Sequence, residues 1–153
     1  QLSRRALSLP NELGGVAALS MGAPAAFYAA RGVLGPHAWS LWAVCALFFF
    51  GPIFYVKMAA LQHRAAGDPA QLPNLVRARW AALAYHAASL AVVYAAADYL
   101  PRLSLLPFAA ALAKTIVRAA RPPQRVNFQD LGYREVAYTV LFVGAVLVGF
   151  RAQ

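Results

Sequence analysis

Long apolar stretches alternate with short polar connections along this 153-residue chain. Five of the stretches approach the length of about 20 residues that a helix needs to cross a bilayer core. They are 13–30, 38–58, 80–97, 103–120 and 136–150. Open strands cannot satisfy their backbone polar groups in lipid, so we expect helices. The pattern predicts an all-α fold: a polytopic transmembrane helix bundle of about five spans, forming a single domain over 1–153.

Composition supports a membrane protein and argues against a nucleic-acid partner. Apolar residues make up 61% of the chain and charged residues 12%, which lies outside the range of average globular domains. The net charge of +9 would suit nucleic acid if the basic residues formed a separate hydrophilic domain. They instead flank apolar spans, where they attract anionic headgroups. We therefore expect membrane lipids as partners.

The basic residues also predict the orientation. Eleven of the fourteen lysines and arginines lie in alternate connections between spans, and cytoplasmic connections are the ones enriched in these residues. The N-terminus is therefore expected in the cytoplasm and the C-terminus outside. The eleven are Arg4, Arg5, Lys57, Arg64, Arg77, Arg79, Lys114, Arg118, Arg121, Arg125 and Arg134.

Small residues form a stripe along the first span. Gly14, Ala18, Gly22 and Ala26 are each four residues apart, a spacing that lets a second helix approach closely. We interpret the stripe as a helix-packing seam whose partner is either another helix of this chain or a second subunit. In the same span Pro24 interrupts the backbone hydrogen bonds and predicts a kink.

Tyr85 and His86 lie at membrane depth in the third span. Ionisable side chains there are costly and are candidates for function. The candidate roles for His86 are an axial ligand of a haem or chlorin, a hydrogen-bond donor to a quinone, or a proton relay. The alternative is a structural interhelical hydrogen bond. The candidate ligands for this pair are therefore a lipid, a quinone or a pigment.

Basic residues share helix faces at the inner ends of two spans. Lys114 and Arg118 are one turn apart, and Lys57 and Arg64 are nearly two turns apart. Their side chains either extend to the headgroups or form a cytoplasm-facing pocket for a lipid headgroup, phosphate or carboxylate. Glu135, at the start of the last span, is expected to pair with Arg118 or Lys114.

Motifs for familiar catalytic chemistry are absent from the sequence. It contains no GxSxG, no His-Glu-x-x-His and no P-loop, and no aspartate-rich diphosphate motif. Its single cysteine, Cys45, lies within an apolar span, and no Cys/His spacing typical of a metal site occurs. We therefore predict neither a metal site nor a catalytic residue.

Several short motifs resemble a known family. They are Phe54-Tyr55-Val56-Lys57 followed by Arg64, the pair Tyr85-His86, the stretch 118–122, and Leu131-Gly132-Tyr133-Arg134-Glu135. Together they resemble the YwiC-like bacterial integral membrane proteins over roughly 10–150. The matched positions are Tyr55, Lys57, Arg64, His86, Arg118, Gly132 and Glu135.

The resemblance implies a multi-pass protein of the bacterial cytoplasmic (inner) membrane, associated with respiratory gene neighbourhoods. Family members look longer and begin with a Pro-x-x-His-Gly-Ala-Trp type of signature, which this chain does not match. The chain is therefore expected to correspond to the later, C-terminal part of such a protein.

Two functional hypotheses follow. The first is a non-catalytic integral subunit of a larger energy-converting complex, respiratory or photosynthetic, which packs against other integral membrane subunits and contributes to a lipid, quinone or pigment site. The alternative is a small membrane enzyme or transporter that handles an anionic or isoprenoid-type ligand at the basic pocket.

Overall fold

The structure is a computed structural model that describes residues 9–98 and 100–151, excluding the side chains of residues 150 and 151. The described part is helical and contains no strand, so the predicted all-α class is confirmed. Arg4 and Arg5 lie outside the described residues. The helices are α1 (Leu9–Ser20), α2 (Gly22–Arg31), α3 (Pro36–Ala65), α4 (Leu72–Ala95), α5 (Leu105–Ala119) and α6 (Phe128–Arg151), with short 3₁₀ turns at Pro69–Gln71 and Arg102–Ser104.

Three helical stretches of the described chain are long and apolar enough to cross a membrane. They are Leu9–Arg31, Pro36–Ala65 and Phe128–Gly149, and they support the predicted membrane character. The other two predicted spans fall on α4 and α5. Helix α5 has 15 residues, a rise of about 22 Å, which is shorter than the hydrocarbon core of about 30 Å. The apolar part of α4 begins only after Arg79.

The chain forms two compact units, Gln1–Ile53 and Phe54–Gln153, and their boundary lies within α3. In the first unit the indole N–H of Trp42 donates to the carbonyl of Ala17 at 3.1 Å, which ties α3 to α1. Helix α2 ends at Gly32, whose φ of 73° places it in the left-handed region that glycine adopts without strain.

The break between α1 and α2 falls at Met21, as the position of Pro24 predicts. Pro24 has no N–H to donate to the carbonyl of Ser20, four residues earlier, so the helical ladder is interrupted one turn before the proline. By contrast, α3 runs without interruption through Pro52.

The small residues of the first span are exposed. Gly14, Ala18, Gly22 and Ala26 all lie on the open surface, and a Cβ added at Gly14 or Gly22 would meet no atom within 4 Å. The predicted seam therefore packs against no other described part of the first unit, and its partner stays a prediction.

The second unit has a buried core at the end where the basic connections lie. The core contains Tyr55, Met58, Ala59, Ala65, Leu75, Ala82 and Leu131. Helices α4 and α5 pack against each other as a hairpin. This core fixes the C-terminal half of α3 against the N-terminal half of α4 and the start of α6.

At the opposite end of this unit, α6 packs closely on the turn that precedes α5. Gly149 is buried, and a Cβ added there would lie 2.5 Å from the Cβ of Pro101 and 3.5 Å from that of Leu103. The side chains of Phe108 and Phe142 meet edge to face nearby, with ring centroids 6.3 Å apart. Close contact at this end therefore depends on a residue without a side chain.

One face of α6 is apolar and exposed. Val136, Val140, Val143 and Leu147 recur at helical spacing and are between 44% and 67% exposed. A continuous apolar stripe of this kind is costly in water and favourable in lipid. The stripe therefore agrees with a membrane environment for α6.

Candidate functional site: a basic cleft

Hydrogen bonds bring the two basic connections together at one end of the second unit. The side-chain amide of Gln62, on α3, donates to the carbonyls of Arg121 at 3.3 Å and Pro122 at 3.0 Å. Arg79, on α4, also donates to the carbonyl of Arg121. The backbone N–H of Val126 donates to Nδ1 of His63 at 3.1 Å. Both connections therefore lie on the same side, as the charge pattern predicts.

An open cavity of about 420 Å³ lies at this end. We call it the basic cleft. Helices α3, α5 and α6 supply its walls, and Arg121, just beyond the end of α5, extends one of them. Its lining residues are Tyr55, Ala110, Ala113, Lys114, Val117, Arg118, Arg121, Arg134 and Tyr138. The cleft thus combines four basic side chains with a short apolar wall from α5.

Lys114 is neutralised within the cleft. Its ammonium donates to both carboxylate oxygens of Glu135, at 2.6 and 2.7 Å, which confirms the predicted pair. It also lies over two aromatic rings, 4.6 Å from the centroid of Tyr55 and 4.1 Å from that of Tyr138, where cation–π attraction adds to the ion pair. The two charged side chains are only 10% and 16% exposed. Lys114 therefore stabilises the helix packing, and its charge is already balanced.

Arg118 differs from Lys114 because its charge is not balanced by a carboxylate in the described part of the chain. Its Nε donates to the hydroxyl of Tyr55 at 3.0 Å and one terminal nitrogen donates to Oε1 of Gln62 at 3.1 Å. These two neutral partners orient the guanidinium and leave further N–H donors for a ligand, since arginine has five. Arg118 is thus an oriented cation at the edge of the cleft.

Gln62 organises this arrangement and was not found by sequence reasoning. It is 1% exposed. Its amide oxygen accepts from Arg118 while its amide nitrogen donates to two carbonyls beyond the end of α5. One side chain therefore both holds Arg118 and fixes the chain that carries Arg121.

A second, smaller cavity adjoins the cleft. It measures about 140 Å³ and is lined by Arg118, Arg121, Gln124, Arg125, Val126, Asn127, Asp130, Leu131 and Arg134. We call it the polar cavity. Asn127 accepts the N–H of Gln129 at 3.0 Å with its side-chain oxygen, as a helix-capping residue does. The cavity therefore lies beside the N-terminus of α6.

The remaining predicted site residues lie elsewhere. Neither Lys57 nor Arg64 lines the basic cleft or the polar cavity, although both are on α3. His86 is buried on α4, where its Nδ1 lies 2.8 Å from the carbonyl of Ala82 in the same helix. The ring of Tyr85 is stacked on that of Phe54, with centroids 4.5 Å apart. These contacts fix the pair structurally, and its proposed cofactor role stays a prediction.

Tyr138 is a further cleft residue that the sequence analysis did not select. It is one helical turn after Glu135, so the same face that carries the carboxylate also carries the ring. Helical spacing from Glu135 was thus a signal that could have identified it. Arg121 continues the basic face of Lys114 and Arg118 in the sequence, and the structure places it in the same cleft.

Comparison with known proteins identifies no relative: no family model matches the chain, and neither a curated protein nor a solved structure matches it.

Proposed function

We propose that this chain is an integral membrane protein that binds an anionic amphiphile in the basic cleft. The observation that carries the proposal is the environment of Arg118. Its guanidinium is oriented by Tyr55 and Gln62, meets no carboxylate of the described chain, and shares the cleft with Arg121 and Arg134. Arginines arranged in this way are typical of phosphate and carboxylate recognition.

The shape of the lining favours an amphiphile over a free ion. The apolar wall on α5 consists of Ala110, Ala113 and Val117. The three arginines lie beyond this wall, at the end of the cleft nearest the basic connections. The positive-inside rule assigns this end to the cytoplasmic side of the membrane. A ligand whose headgroup meets the arginines would therefore place its tail along the apolar wall, toward the membrane interior.

The topology that agrees with this binding mode has five spans. In that arrangement the hairpin of α4 and α5 supplies two crossings in addition to the three long helical stretches, and the bilayer thins around α5 because its 15 residues are shorter than the hydrocarbon core. The N-terminus then lies in the cytoplasm and the C-terminus outside. The cleft then opens to the cytoplasmic leaflet of a bacterial inner membrane. The resemblance to the YwiC-like proteins stays a prediction and is not needed for this proposal.

Arg118→Gln is expected to weaken binding of a short-chain phosphatidic acid by roughly ten- to hundredfold, because hydrogen bonds to charged groups contribute about 1.5–3 kcal/mol. Isothermal titration of the detergent-solubilised chain measures this change. Arg134→Gln, at an exposed position without a described partner, is expected to weaken binding in the same direction without affecting folding. Arg102→Gln, in the 3₁₀ turn that precedes α5, is the matched control and should bind like the unmodified chain.

The same titration separates the sources of the anion. Inorganic phosphate is expected to bind more weakly than phosphatidic acid, because it makes no use of the apolar wall. Phosphatidylcholine is expected to bind more weakly still, because its phosphate is shielded by a quaternary ammonium group. Equal affinity for all three, or normal binding by both Arg118→Gln and Arg134→Gln, would show that the cleft is not an anion site.

A second function is favoured by a different observation. The stripe of Gly14, Ala18, Gly22 and Ala26 is exposed and has open space beside its glycines. We propose on this basis that the first unit packs against another integral membrane protein, as a non-catalytic subunit of an energy-converting electron-transfer complex would. The two functions are compatible, because the stripe and the cleft lie in different units.

Gly22→Leu is expected to detach the chain from its partners while leaving membrane insertion intact, because a leucine fills the groove that a second helix would occupy. Native mass spectrometry of material extracted from its own membranes in mild detergent measures the association. The matched control is Gly144→Leu, an exposed glycine on α6 with equally open surroundings. Identical assemblies for the unmodified chain and Gly22→Leu would remove the seam from consideration.

A further inference from the structure

We infer that the headgroup recognised by this site carries two phosphates in tandem, so that the ligand is an isoprenoid-type or other lipid diphosphate. The inference rests on the proposed binding of an anionic amphiphile and specifies its headgroup. The supporting observation is that the basic cleft and the polar cavity share part of their lining but differ in chemistry. One cavity has an apolar wall suited to a tail, whereas the other is polar and strongly basic.

The two cavities meet at the same three side chains. Arg118, Arg121 and Arg134 line both of them, so a charged group placed between these arginines reaches either cavity. The polar cavity continues away from the apolar wall toward Arg125 and the start of α6. At about 140 Å³ it is several times larger than one water. A headgroup with a single phosphate would leave this space and Arg125 unused.

The charge of the polar cavity also exceeds what one phosphate requires. Four arginines line it against one carboxylate, that of Asp130, which leaves a net charge of +3. A phosphomonoester carries about −1.5 to −2 charges near neutral pH, and a second phosphate in the chain adds one more. The diphosphate therefore balances the arginines more closely. The carboxylate of Asp130 opposes an anion, but the four arginines outnumber it.

The same residues predict that the diphosphate is held by arginine instead of magnesium. Magnesium sites for phosphates normally use one or two carboxylates together with the phosphate oxygens. Of the two carboxylates near the cavities, Glu135 is occupied by Lys114 through both of its oxygens. The other, Asp130, lines the polar cavity together with four arginines, whose positive charge disfavours a second cation there. Binding is therefore expected to persist when divalent cations are chelated.

Titration of the solubilised chain with farnesyl monophosphate and farnesyl diphosphate, each with and without EDTA, tests the inference. The diphosphate is expected to bind at least about tenfold more tightly, since it adds charge-assisted hydrogen bonds from Arg125. EDTA should leave both affinities unchanged. Arg125→Gln should reduce the affinity for the diphosphate to about that for the monophosphate, and it should leave monophosphate binding unaltered. Arg102→Gln again serves as the matched control.

The outcomes separate the inference from the function on which it rests. Equal affinities for the two compounds, or an Arg125→Gln variant that keeps the preference for the diphosphate, would overturn the inference and leave anionic amphiphile binding in place. Loss of diphosphate binding in EDTA would overturn recognition by arginine alone. Failure of both compounds to bind would overturn the proposed function itself.

Discussion

Replacing Glu135 with glutamine is expected to cause the largest loss of stability of any single change in the cleft. The carboxylate holds Lys114 at 2.6 Å, and both side chains are less than one-fifth exposed. Without it, the ammonium is left largely desolvated beside the guanidinium of Arg118. Removing one partner of a buried pair costs about 3–5 kcal/mol. Because the side chains of Lys114 and Glu135 keep some exposure to solvent, we expect a loss at the lower end of this range, about 3 kcal/mol. Unfolding in mixed micelles at increasing SDS measures it.

Two further variants distinguish the effect of an uncompensated charge from a general effect of mutation. The double variant Lys114→Met with Glu135→Leu removes both charges, and it is expected to recover most of the stability because buried ion pairs are often replaceable by apolar residues of similar volume. Asp130→Asn, an exposed carboxylate in the first turn of the same helix, is the control and should change stability little. An equally unstable double variant would show that packing, and not the charge on Lys114, explains the loss.

Gly149→Ala is expected to destabilise the chain by about 1–3 kcal/mol, the usual cost of forcing an added carbon into a packed site. The new Cβ would lie 2.5 Å from the Cβ of Pro101, and a proline ring is too rigid to move aside. Helix α6 must therefore shift away from the turn that precedes α5. Unfolding in the same mixed micelles reports the loss.

Gly144→Ala is the matched control for this substitution. It lies on the same helix, and a Cβ there would meet nothing within 4 Å. Alanine is a better helix former than glycine by up to about 1 kcal/mol, so Gly144→Ala should be neutral or stabilising. If the two alanine variants behave alike, the close approach at Pro101 does not govern stability.

The structure assigns different roles to Lys114 and Arg118, which the sequence alone does not distinguish. Along the sequence both are basic residues one turn apart, and they appear equivalent. In the structure, Glu135 neutralises Lys114, which also lies over two tyrosine rings, whereas Tyr55 and Gln62 orient Arg118 without cancelling its charge. Of these two basic residues, Arg118 is therefore the one available to an anionic ligand.

The sequence by itself determined the features that depend on local composition and spacing. The helical class follows from long apolar runs, the break before Pro24 from its missing N–H, and the shared side of the two basic connections from charge bias. The pairing of Glu135 with Lys114 or Arg118 was also accessible, because few carboxylates exist to balance the cluster. Each of these needs only the period of a helix or the chemistry of one residue type.

Tertiary structure alone decided which residues meet across helices. Gln62 is 56 positions from Arg118 in the sequence, and no local pattern relates a glutamine on α3 to a guanidinium on α5. The same holds for the contact of Gly149 with Pro101 and for the three arginines that line both cavities. Such contacts depend on how rigid helices pack against one another. For that reason the sequence predicted a basic pocket, and the fold determined its shape and the cation available in it.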